Sequence, residues 1–109
     1  SCLPNVVALT RGQTSLQLSL AGVYVEETPT VDEAEKRLGE LLETREARVV
    51  IVQEEYRSEF SEWFAERLRR HKGLPLTVYC PAFEEEDSNV DAYLTAVLKP
   101  AIGYEIRLE

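Results

Sequence analysis

Val49-Val50-Ile51-Val52 restricts the fold of this chain more than any other segment. Four consecutive β-branched residues crowd the preceding turn of a helix but fit a pleated strand. It is the strongest strand in the chain. The first apolar segment, Leu3 to Leu9, with Val6, Val7 and Ala8 continuous, reads as a strand buried on both faces. Alternating with helices, such strands imply a parallel sheet wrapped on both faces.

The rest of the pattern alternates helix with strand. Gln13 to Ala21 is ambiguous, since Leu16, Leu18 and Leu20 alternate as in a strand. Its short length between two strands favours a crossover helix, which Gly22 stops. Val23-Tyr24-Val25 forms a second short strand, ended by Glu26, Glu27 and Pro29. Thr30 and Glu33 have capping-box spacing, and Val31, Ala34, Leu38, Leu41 and Leu42 make the inner face of the helix they open. Phe60, Trp63, Phe64 and Leu68 stripe the next helix, which ends near Gly73. Leu76 to Cys80, bounded by Pro75 and Pro81, is a fourth strand. A final helix is marked by Val90, Tyr93, Leu94, Val97, Leu98, Ala101 and Ile102, with Ser88 or Asn89 as its cap. The alternating Tyr104-Glu105-Ile106-Arg107-Leu108 follows it. The expected fold is α/β: a doubly wound, mainly parallel four-stranded sheet of order 2-1-3-4 in three Rossmann- or flavodoxin-like layers, with a C-terminal helix. At 109 residues the chain is one domain with a real core. Within it, residues 1–81 form the α/β body, and 82–109 form an acidic hinge loop, with Glu84-Glu85-Glu86-Asp87, and the terminal helix and tail.

Charge and spacing exclude several functions. A net charge of −8 argues against nucleic acid, because a phosphate-tracking protein needs a basic stripe. The one basic cluster, Arg67, Arg69, Arg70, His71 and Lys72, suits a helix C-terminus. No run approaches a membrane span and no signal-peptide pattern opens the chain, so a cytoplasmic location is expected. Cys2 and Cys80 are too few for a disulfide framework or a zinc site and read as small buried hydrophobes. In doubly wound folds ligands bind beyond the carboxyl ends of the strands. There, Thr10-Arg11-Gly12-Gln13 lacks both the glycine spacing of a dinucleotide site and the end of a phosphate loop. Glu54 and Glu55 after the third strand form a carboxylate pair, but Thr10 stands where a receiver-type metal site needs another acid. His71 and Cys80 lack an activating partner. No catalysis, metal or cofactor is expected. Two alternatives are a receiver-like signalling domain and a small flavodoxin-fold ligand-binding protein, for which Arg11-Gly12-Gln13-Thr14-Ser15 is the nearest approach to a binding loop.

The ending Ile102-Gly103-Tyr104-Glu105-Ile106-Arg107-Leu108, preceded by Val90-Asp91-Ala92-Tyr93-Leu94, resembles the C-terminus of the F subunits of the prokaryotic V-type (A-type) rotary ATPases. Leu20-Ala21-Gly22-Val23 matches that family's leucine-alanine-glycine motif, and the segment from Pro75 to Pro81 its proline-bounded fourth strand. The chain departs from the family at Gln17-Leu18, where glycine-phenylalanine is usual, and at Pro100, which should bend or end the helix. The resemblance implies a non-catalytic component of the rotor shaft, bound to the coiled-coil D subunit and turning inside the A and B subunits that handle ATP. It would be peripheral to the membrane and would couple or regulate ATP hydrolysis or synthesis with ion transport. The residues expected at the shaft interface are Tyr93, Leu94, Val97, Leu98, Ile102, Tyr104 and Ile106. In that family the terminal helix is thought to move between retracted and extended positions.

Overall fold

The computed structural model describes the backbone of residues 5–83 and 89–108 and the side chains of residues 5–83 and 89–100. Its elements run β1 (Val6–Thr10), α1 (Gly12–Leu20), β2 (Tyr24–Glu27), α2 (Val31–Thr44), β3 (Val49–Gln53), α3 (Glu54–Arg57), α4 (Glu62–Arg70), β4 (Leu76–Cys80) and α5 (Val90–Leu108). All strand pairs are parallel, and the sheet order is β2-β1-β3-β4. That is the expected doubly wound order.

The β-branched run forms the buried central strand. Val50 and Val52 point into one core, with Leu9, Leu38, Leu41, Tyr56 and Phe64. Val49 and Ile51 point into the other, with Ala8, Leu18, Val23, Cys80, Phe83, Val90 and Leu94. Helices α2, α3 and α4 thus cover one face of the sheet, and α1 and α5 the other. The capping box forms as its spacing requires, with the Thr30 hydroxyl accepting from the Glu33 N–H and the Glu33 carboxylate accepting from the Thr30 N–H, both at 3.3 Å. Arg69 and Arg70 end α4 and both pair with Glu66, which holds that carboxyl below its usual range.

Two expectations are corrected. Trp63 lies outside the inner stripe and is 71% exposed. Helix α4 starts only after the Ser61 cap, so Phe64 and Leu68 face inward one turn apart, while Trp63 turns outward beneath the Arg67 guanidinium at 5.9 Å. Pro100 does not end the terminal helix, and the backbone from Tyr104 to Leu108 is helical rather than strand-like. Pro100 removes a single N–H from a 19-residue helix whose first half is anchored by Val90 and Leu94. Helix α1 is the expected crossover helix; it buries Thr14, Ser15 and Leu18 and turns Leu16 and Leu20 outward, 49% and 74% exposed. Cys2, Leu3, Ser88 and the acidic run Glu84-Glu85-Glu86-Asp87 lie outside the described residues.

Candidate functional site

Strand order reverses between β1 and β3, and an open cleft of about 360 Å³ lies beyond their carboxyl ends. Arg11, Gly12, Gln13, Thr14, Glu27, Gln53 and Glu55 line it. Gly12 opens α1 at φ +60°, a conformation that side-chain-bearing residues adopt at a cost. Its N–H donates to Glu27 Oε2 at 2.8 Å. A carboxylate of the chain itself therefore occupies the positive end of α1, where a ligand phosphate would otherwise sit.

The remaining groups close on one another. The Arg11 N–H donates to Gln53 Oε1 at 2.9 Å, and Gln53 Nε2 donates to Glu55 Oε1 at 2.6 Å. Arg11 Nη2 donates to Glu55 Oε2 at 3.2 Å, and its guanidinium lies 5.2 Å from the centre of the Tyr56 ring. Tyr56 is fully buried and donates its hydroxyl to the Thr28 carbonyl. With one cation and two carboxylates, the cleft repels anions more than it attracts them. Tyr56 escaped the sequence reading because it belongs to no apolar period, and adjacency to β3 was its only signal.

The Thr10 hydroxyl is buried 2.8 Å from that of Ser15. Glu54 and Glu55 diverge, the first toward Arg57 at 3.8 Å and the second toward Arg11. His71 lies at the opposite edge of the sheet, with Nε2 3.2 Å from the Leu74 carbonyl. Burial, with a smaller push from Glu54, raises the Cys80 thiol to about 12, so it stays protonated at neutral pH. Among the described residues no cluster of three or more His, Cys, Asp or Glu has the geometry to hold a metal. No helix among them is long and apolar enough to cross a membrane.

Of the expected interface residues, those whose side chains are described, Tyr93, Leu94, Val97 and Leu98, lie in the first half of α5, over the sheet face that also carries α1. Leu94 is 6% exposed and packs in the core with Cys80, Phe83 and Val90. Tyr93 and Leu98 are half-buried against that core, and Val97 is half-buried. The Tyr93 ring meets Phe83 edge-on at 5.5 Å, and its hydroxyl donates to the Tyr79 carbonyl at 2.6 Å. Burial, then Cys80 and Glu54, raise the pKa of this phenol above its usual range. The side chains of Ile102, Tyr104 and Ile106 lie outside the described residues. In this arrangement the first half of α5 covers its own sheet. Compared with protein-family models and with curated proteins, the chain finds no match.

Proposed function

We propose that this chain is a non-catalytic central-stalk component, of the F type, of a prokaryotic V-type (A-type) rotary ATPase. It binds the coiled-coil D subunit, turns within the A and B subunits, and helps couple or regulate ATP turnover with ion transport. Its place is on the cytoplasmic side, peripheral to the membrane through the complex. One observation carries the reading: Ile102-Gly103-Tyr104-Glu105-Ile106-Arg107-Leu108 ends a 19-residue helix that leaves a four-stranded body of order β2-β1-β3-β4. The self-satisfied cleft supports it too, since Glu27 and Glu55 occupy the hydrogen bonds that a phosphate would need.

A shaft contact through α5 has an energetic requirement. Four side chains the size of Tyr93, Leu94, Val97 and Leu98 contribute roughly 6 to 12 kcal/mol when fully buried, before association costs. Part of that gain is already realised against the sheet, because Leu94 is buried there. A partner that engages this face must therefore offer α5 a packing within a few kcal/mol of the present one.

Affinity capture of the full chain from its native cytoplasm tests the reading. Two ATPase-sized polypeptides and one long helical polypeptide should co-elute. Recovery of the chain alone, under conditions that keep the rest of the rotor assembled, would remove it.

A further inference from the structure

We propose that the turns at the amino ends of β1, β3 and β4 form a binding site for a small molecule that carries an oxyanion, a carboxylate or a phosphate, with the Arg45 guanidinium as the recognition group. The site lies at the opposite end of the sheet from the Glu27–Arg11 cleft and does not depend on the rotor reading.

An open cleft of about 570 Å³ lies there, lined by Asn5, residues 45–48, Gly73 and Leu74. That volume is within the range of small-molecule sites. Backbone bonds tie the three segments together. The Asn5 carbonyl accepts from the Arg48 and Val49 N–H groups at 2.7 and 3.1 Å, and the Leu76 N–H donates to the Arg48 carbonyl at 2.8 Å. Turns held in this way are in place before a ligand arrives, so little binding energy goes into ordering them.

Arg45 gives the cleft its chemistry. Arg11, Arg37, Arg57, Arg67, Arg69 and Arg70 each pair with a carboxylate. Arg45 pairs with none among the described residues. Its Nη1 instead donates to the Leu74 carbonyl at 3.0 Å, an oxygen that His71 Nε2 also approaches at 3.2 Å. The same Nη1 lies 3.8 Å from where a Cβ on Gly73 would stand. The guanidinium is thus laid over the turn before β4, and one of its N–H groups fixes it there while the others remain for a ligand. Arg45 holds φ +57° at the C-cap of α2, a left-handed position that glycine usually takes. Attraction to the helix end accounts for a cation at this position, but not for a head group turned away from α2 onto the neighbouring turn. A planar guanidinium matches two oxygens of one carboxylate or phosphate.

Local charge favours the same ligand. Residues 45–48 and 71–75 carry Arg45, Arg48, His71 and Lys72 against Glu46, in a chain whose net charge is −8. Residues 1–4, which lead into Asn5, carry no acidic side chain. Glu46 is exposed and lines the cleft, where its carboxylate opposes an anion.

The test titrates the full chain, labelled with nitrogen-15, with citrate and with inorganic phosphate at constant ionic strength while backbone amide shifts are followed by NMR. Saturable shifts are expected at Ala47, Gly73 and Leu74, and the tighter of the two anions distinguishes a carboxylate ligand from a phosphate one. Arg45→Gln should weaken that anion about tenfold or more, the loss expected when a charged hydrogen-bond partner is removed. Glu46→Gln should tighten it, and Arg11→Gln, at the other end of the sheet, should leave it unchanged. Arg45 and Glu46 are both exposed, so the melting temperatures of their variants should stay close to the wild type. Shifts that never saturate, an Arg45→Gln variant that binds as the wild type does, or an equal loss in Arg11→Gln would each overturn the site. The side chains of Glu105 and Glu109 lie outside the described residues and supply the last outcome. Saturable binding that appears only in Glu105→Gln/Glu109→Gln would give the cleft to the chain's own tail and overturn the small-molecule assignment.

Discussion

Leu94 carries a proposed role and an observed one on the same side chain. It is an expected shaft contact, and it is also buried against Cys80, Phe83 and Val90. Replacing it with Ser removes core volume and buries a hydroxyl, which should cost roughly 2 to 5 kcal/mol. A drop in melting temperature of about ten degrees or more is expected in a thermal scan, so lost partner binding in that variant would not by itself map an interface. Leu98, only half-buried, is the cleaner probe. Thr30 offers a gentler check: Thr30→Ala deletes the hydroxyl that caps α2 and should cost about 1 kcal/mol, or roughly 4 to 8 °C in melting temperature. An unchanged melt would mean that the capping box contributes nothing. Cys80 sits in the same core as Leu94, protonated and covered, so the native protein should leave it unlabelled by iodoacetamide at pH 8. Site-resolved mass spectrometry should find it labelled only after denaturant is added.

At the scale of elements, Gly39 lies inside α2, where glycine weakens a helix. A Cβ there would meet Arg67 Nη1 at 3.2 Å and Phe64 Cε1 at 3.6 Å. The first is the tip of a flexible side chain and the second an ordinary contact, so Gly39→Ala should stabilise by up to about 0.5 to 1 kcal/mol. A lower denaturation midpoint would mean that Arg67 cannot yield. The elements themselves were largely legible in the sequence. Val49 to Val52 read as the strongest strand, Pro75 and Pro81 bracketed β4, and Thr30 with Glu33 marked a helix start. What escaped legibility had a physical cause. Trp63 obeyed the apolar period but lies about 100° around the helix from Phe64, and a composition-based stripe does not resolve that angle. Leu16 and Leu20 were read as part of a crossover helix, yet alternation at period two places them on the opposite side of that helix from Leu18. The closure of the cleft by Glu27 onto the Gly12 N–H was not legible, because residues 15 apart meet only once β1 and β2 pair.

For the whole molecule, the buried thiol and phenols set a limit at high pH. The folded state holds the Cys80 proton up to about pH 12, whereas an unfolded chain releases it near 9.0. Between those values the unfolded state binds fewer protons than the native state, so stability is full below pH 9 and falls as pH rises toward 12. Tyr93 and Tyr79, both raised above the ordinary 10.0 by burial, steepen the loss at the upper end. Melting temperatures between pH 8 and 12 should decline from about pH 9, and a flat profile to about pH 11 would contradict this. The tyrosine pair has a second consequence. The Leu76 N–H donates to the Arg48 carbonyl on the β3 side, so alternation turns the backbone groups of Thr77 and Tyr79 toward the open border of β4. The Tyr93 hydroxyl sits on one of those outward carbonyls. A polypeptide cut off after residue 89 would show its neighbours a bare template along that border, and light scattering should find it clumping where the intact chain stays dispersed. The terminal helix thus insulates the sheet, and under the proposed rotor role any motion that took it away would be safe only while something else shielded the strand it left.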